Sequence, residues 1–102
     1  MSAKIYELSE KLDTRNSKQV QDELNKLVDG DTDSLVMDFS KNTYISSAGI
    51  RVVLTMQKML SKKGGELILK NVPGPVKEIF DVTGYSRFLN IQRDINLKGG
   101  DF

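Results

Sequence analysis

The chain has 102 residues, with 15 Lys and Arg against 14 Asp and Glu, and no His, Cys or Trp. Without imidazole or thiol there is no Ser-His-Asp triad, no thiolate nucleophile, no disulfide and no zinc site of the usual Cys/His kind. Carboxylates, hydroxyls and amines are the chemistry that remains.

The net charge is +1, and cations alternate with anions from end to end, which argues against a nucleic-acid binder with its basic stripe. No apolar run approaches the ~18–20 residues of a membrane span. The stretch Met1 to Glu7 lacks the apolar core of a secretory signal. A cytoplasmic protein without membrane insertion is therefore expected, and the length suits one domain over residues 1–102.

In chain order, Ile5, Leu8 and Leu12 suggest one irregular strand over about 4–12, since their spacing is not strictly two. Val20, Leu24, Leu27 and Val28 recur at i, i+4, i+7 and i+8, one stripe of a helix. Thr14, Asn16 and Ser17 are its candidate N-caps and Gly30 its exit. After the turn Asp31-Thr32-Asp33, the run Leu35-Val36-Met37-Asp38-Phe39 reads as a buried strand. Ser40 to Thr43 forms a loop before Tyr44-Ile45.

A second helix is expected from Ser46 or Ser47 to about Lys63. Ile50, Val53, Leu54, Gln57 and Leu60 define its inner face, widened by Val52, Met56 and Met59. Leu67-Ile68-Leu69 predicts another buried strand. Pro75 suits the first turn of a short helix carrying Val76, Ile79, Phe80 and Thr83 and stopping at Gly84. Phe88, Leu89 and Ile91 form a last apolar cluster, a short helix and then a strand, before a fraying tail over about 95–102. The alternation predicts an α/β domain: a mixed β-sheet of about four strands packed against three to four helices. Tyr44, Tyr85 and the methionines of the second helix are expected in the core.

The informative stretch runs from Asp38 to Arg51, where a buried strand ends, the chain loops, and Ser46-Ser47 opens a helix. A serine there commonly caps the helix by accepting an early N–H, worth ~1 kcal/mol. One serine suffices for a cap, so its neighbour is free for another task. Gly49 in the first turn costs up to ~1 kcal/mol against Ala, which points to something approaching the backbone.

These residues resemble a STAS domain of the anti-sigma-factor antagonist type, over roughly Lys4 to Ile91. Leu12-Asp13 before a polar helix start is similar to the family's Gly-x-Leu-Asp element. Leu35 to Ser40 with Ile45-Ser46-Ser47-Ala48-Gly49-Ile50 resembles its strand-loop-helix core, whose motif reads Asp-Ser-Ser/Thr-Gly. Gly64 to Leu69 and Val76 to Gly84 resemble its C-terminal half. The resemblance sets Ser46 on the motif's Asp, Ser47 on its phosphorylated Ser, Ala48 on the second hydroxyl residue and Gly49 on its Gly. It also sets Asp13 on an acidic residue near that serine. Asp38 lies on the neighbouring strand in a structural position.

The chain departs from the pattern in three ways. Ser46 replaces an Asp and so becomes a rival acceptor, Glu10 stands where Gly is usual, and a further strand commonly precedes the first one found here.

The resemblance implies a regulator rather than an enzyme, needing no cofactor and no metal. Unphosphorylated, it would bind a serine-kinase anti-sigma factor and free the sigma factor. Phosphorylation at Ser47 would release it, and a PP2C-type phosphatase would restore it. Asp13, Ser46, Ser47, Ala48, Gly49 and Arg51 would form the partner-binding site, with Arg51 either pairing the phosphate or simply solvated. The free protein is expected to be a monomer. A second reading is a non-enzymatic STAS subunit of a lipid-type ABC transporter, docked on its ATPase, in which both serines serve only the helix start. A third, a small enzyme using Asp13 and Asp38 as a carboxylate pair, competes with the commoner use of strand-end Asp as a turn former.

Overall fold

A computed structural model of the chain describes residues 2–93. The strands are β1 (Ser2–Glu7), β2 (Lys11–Leu12), β3 (Thr32–Asp38), β4 (Tyr44–Ile45), β5 (Glu66–Val72) and β6 (Asn90–Arg93). The helices are α1 (Ser17–Leu27), α2 (Ser47–Lys62) and α3 (Gly74–Val82), followed by a 3-10 turn at Tyr85–Arg87. The α/β class, the four-stranded main sheet and the helix count agree with the sequence reading. The expected tail at 95–102 lies outside the described residues.

The sheet is parallel throughout rather than mixed: its order is β1-β3-β5-β6 and every neighbouring pair is parallel. The reason lies in the connections. Each strand reaches the next through a helix, and such a crossover is what a parallel neighbour requires. The order also advances in one direction. Right-handed crossovers then place α1, α2 and α3 on the same face. Leu35, Met37, Leu67 and Leu69 point into that face and are buried. Phe39, Val53, Met56, Leu60 and Phe80 close the core between sheet and helices, also fully buried.

The segment 4–12 is two strands, not one. β1 pairs with β3 as far as Glu7, and the Leu8 N–H donates to the Asp38 carbonyl at 2.9 Å. The chain then turns through Ser9 and Glu10, and β2 pairs with β4 in a separate two-stranded parallel sheet. Alternation alone does not reveal the break, because Leu8 and Leu12 would share one face of a continuous strand and Ile5 would lie on the other. The strand divides where its partner changes from β3 to β4. Ile5 is 70% exposed.

Helix α2 buries Gly49, Ile50, Val52, Val53, Met56 and Leu60. Its inner face is thus centred on Val52, Val53 and Met56, while Leu54, Gln57 and Met59 lie at the margin. Helix α3 ends where Gly84 takes φ +85°, a left-handed conformation that glycine adopts without steric cost. Tyr44 is not core: 48% of it is exposed, because β4 is short and covered on one side only.

Candidate functional site

The site is built on the small sheet. In its ladder Leu12 pairs with Ile45, and the Ser46 N–H donates to the Leu12 carbonyl at 3.0 Å. The two chains therefore leave the ladder at one level, one through Asp13 toward α1 and the other through Ser46 toward α2. Asn42 fixes the pair from beneath. Its amide is 1% exposed and donates to the carbonyls of Ser9 at 3.0 Å and Tyr44 at 3.1 Å, tying the β1–β2 turn to β4. Its Oδ1 is buried without a partner among the described residues.

The two serines divide the work. Ser46 is the N-cap of α2 in an extended conformation, and its Oγ accepts the Gly49 N–H at 3.3 Å. Ser47 is the first residue of the helix and is exposed. Among the described residues, no side-chain hydrogen bond engages its hydroxyl. Ser47 borders a groove of about 340 Å³ between α2 and the end of α3, lined also by Ile50, Arg51, Leu54, Thr83 and Tyr85. Val82 and Phe88, 79% and 66% exposed, lie along the chain on either side of Thr83 and Tyr85. Arg51, one turn on from Ser47, is exposed. It also borders a second groove, toward Ser17 and Gln21 of α1, in which Ala48 takes part. At i and i+4, Arg51 and Ser47 share one helix face.

Gly49 is a correction. The sequence suggested that something approaches its backbone, without fixing the side, and it stood among the partner-binding residues. The approach is internal. A Cβ at Gly49 would lie 2.7 Å from both the Leu12 carbonyl oxygen and Ile45 Cγ1. Gly49 is buried and lets the first turn of α2 sit directly on the small sheet.

Asp13 is placed beside the serines, but its carboxylate serves its own loop. Oδ1 accepts the Arg15 N–H at 2.9 Å, and Oδ2 lies 3.9 Å from the Arg15 guanidinium. Asn16 holds the N-cap position of α1 without capping it. Its Oδ1 accepts the Asp13 N–H at 2.9 Å, and its Nδ2 donates to the Lys11 carbonyl at 2.8 Å.

Asp38 is engaged elsewhere, on the main sheet. Its Oδ1 accepts from Ser40 N at 2.9 Å and from Asn71 Nδ2 at 3.1 Å. Burial alone would push this carboxyl up, but the bonds from Asn71 and Ser40 outweigh it and hold the group below the usual carboxylate range. Asn71 itself sits at φ +58° within β5, where the register with β6 shifts, and its bond to Asp38 ties this irregular stretch to β3. Asp13 and Asp38 thus each close a turn, the use that competes with a paired-carboxylate reading.

Sequence reasoning gave Asn42, Thr83 and Tyr85 no part in the site, and offered Asn16 only as a helix cap. An Asn in a polar loop carries no mark of burial. Thr83 and Tyr85 reach the Ser47 groove only through the packing of α3. Among the described residues, no helix is long and apolar enough to cross a membrane.

Comparison with known proteins fits this geometry. Over 74 residues, 72% of this chain, the sequence is 38% identical to BtrV of Bordetella bronchiseptica, a protein named as an anti-sigma factor antagonist. That match spans 64% of BtrV's own length, less than two thirds. Among solved structures, the chain is similar to the anti-sigma factor antagonist SpoIIAA in its unphosphorylated form. The TM-score is 0.76 at 18% identity, covering 97% of this chain and 91% of SpoIIAA. It is equally similar to a sulfate transporter family protein from Wolinella succinogenes, with a TM-score of 0.78 at 14% identity, covering 92% and 79% of the two chains. At such identities the structural likeness establishes the fold alone. The sequence as a whole matches the STAS domain family over residues 2–97, and with the small sheet, the capped α2 and the parallel main sheet in place, the chain belongs to that family.

Proposed function

We infer that this protein is an anti-sigma-factor antagonist, a non-enzymatic regulator controlled by phosphorylation of Ser47. The observation that carries the reading is the division of labour at the start of α2: Ser46 is consumed as the cap, and Ser47 stands exposed beside a groove. BtrV and SpoIIAA, both named as antagonists of this kind, support the general role. The partner would be an anti-sigma factor with serine-kinase activity, docking over Ser47, Ala48 and Arg51 with Asp13 and Ser46 at the margin. Gly49 supports that surface from beneath.

The chain needs no base of its own, because base, magnesium and phosphate clamp belong to the kinase. A phosphoserine carries about −1.5 to −2 charge at neutral pH. At a helix N-terminus that charge is favourable by about 0.3–1 kcal/mol in an exposed setting. The switch therefore acts at the interface and leaves the fold intact: a dianion enters a site fitted to a neutral hydroxyl. A penalty of about 3–4 kcal/mol weakens binding about 100- to 1,000-fold. Arg51, on the same helix face, would partly offset that penalty by pairing with the phosphate. A PP2C-type phosphatase would return the protein to its binding form.

The test is intact-mass measurement after incubation with the cognate kinase and ATP. Ser47→Ala is expected to stay unmodified and to hold the kinase persistently, while Ser46→Ala still gains one phosphate. Undiminished phosphate on Ser47→Ala overturns the assignment, and loss of label in Ser46→Ala alone reverses the two roles.

A further inference from the structure

Among the described residues, the three helices cover one face of the main sheet and no element covers the other. All-parallel sheets ordinarily have both faces covered. The register shows what the bare face carries. Ile5, Val36 and Ile68 are successive partners across β1, β3 and β5, so their side chains form one apolar row. Ile5 is 70% exposed, and Val36 and Ile68 are only half-buried. On one side of this row lie Glu7, Asp38 and Lys70, and on the other Ala3, Ser34 and Glu66, each set again in register across the same strands.

We propose that this face is the interface of a homodimer, in which a second copy of the chain packs sheet against sheet about a two-fold axis running along the Ile5–Val36–Ile68 row. The pattern of charge selects this occupant. Such an axis leaves the apolar row facing its own copy and exchanges the two flanking rows. Lys70 then faces the partner's Glu66, and Glu66 faces the partner's Lys70, so one strand supplies both halves of two ion pairs. Glu7 falls opposite the partner's Ala3 and Asp38 opposite the partner's Ser34, so no like charges meet. Sheets stacked in this way pack face to face with their strands within about 30° of alignment.

A dimer of this kind is an alternative to the monomer expected from the sequence. It does not depend on the role of Ser47, because α2 and its groove lie on the helix-covered side.

Sedimentation of the full chain over a range from micromolar to millimolar tests the proposal. The mass of the unmodified protein is expected to rise with concentration from one copy toward two. Glu66→Lys sets Lys against Lys at two symmetric places and is expected to weaken dimerisation by about tenfold or more at low salt. The swap Glu66→Lys with Lys70→Glu restores it, because the pairs re-form with their signs exchanged. Ile5→Lys, at a position already open to water, is expected to abolish association without loss of thermal stability. A chain that stays monomeric at every concentration overturns the proposal, as it would if another segment covered this face. So does a dimer indifferent to Ile5→Lys, or one that the double swap fails to restore.

Discussion

Two helices begin side by side on the two strands of the small sheet, and they begin differently. At α1 the residue in the cap position, Asn16, turns its side chain away from the helix to bind the Asp13 N–H and the Lys11 carbonyl. At α2 the cap residue, Ser46, turns its side chain toward the helix and takes the Gly49 N–H. The first arrangement spends its polar groups on a rigid loop. The second meets the needs of the helix with one short side chain and leaves the next hydroxyl, that of Ser47, facing outward. A capping position is thus not a fixed role: whichever neighbouring donors and acceptors lack partners decide what the side chain does.

This contrast can be broken or sharpened by substitution. The largest effect is expected from the residue that seats α2 on the sheet. Gly49→Ala places a Cβ 2.7 Å from the Leu12 carbonyl oxygen, which is backbone and cannot swing aside. A loss of about 1–3 kcal/mol, as for other overpacked sites, is expected in urea unfolding. A neutral result would show that α2 can lift off the small sheet at no cost.

Next comes the pair of cap residues themselves. Asn16→Ala removes bonds to Asp13 N and the Lys11 carbonyl together and is expected to cost about 1–2 kcal/mol. Ser46→Ala removes a single bond of 3.3 Å, near the long end of the range, and is expected to cost about 1 kcal/mol or less. Equal losses in the two variants, measured under one condition, would erase the distinction drawn between the helix starts.

The smallest effect concerns Ser47. Far-UV circular dichroism is expected to be unchanged on its phosphorylation, since negative charge at a helix start is favourable. A substantial fall in helicity would place the switch in the fold rather than at the surface.

Much of this was legible in the residues. The spacing of Val20, Leu24, Leu27 and Val28 found α1, and Ser46-Ser47 followed by the broad apolar run found α2 to within a residue at its start. The crossover helices between strands implied an α/β fold. Parallel pairing, however, is a property of connections rather than of strand composition, and the mixed sheet expected at first gave way to it. The break between β1 and β2 was hidden because it depends on Asn42, distant in sequence, whose amide binds the Ser9 carbonyl. Gly49 was singled out for the right physical reason, close approach, but sequence cannot say from which side. The residues that shape the groove beside Ser47, Thr83 and Tyr85, are joined to it only in three dimensions.

Asn42 has a consequence for how the chain accommodates change in length. Ser40 to Thr43 looks like an ordinary polar loop, the kind that accepts insertions between strands. Yet its third residue is a buried peg spanning the Ser9 and Tyr44 carbonyls. The Thr43 N–H is committed as well, donating to the Glu10 carbonyl at 2.8 Å. One added residue would draw the peg from its socket and shift the start of α2 relative to Asp13. The loop is thus better described as a spacer of set length, where substitution is tolerated at the exposed Ser40 and Lys41 and insertion is not.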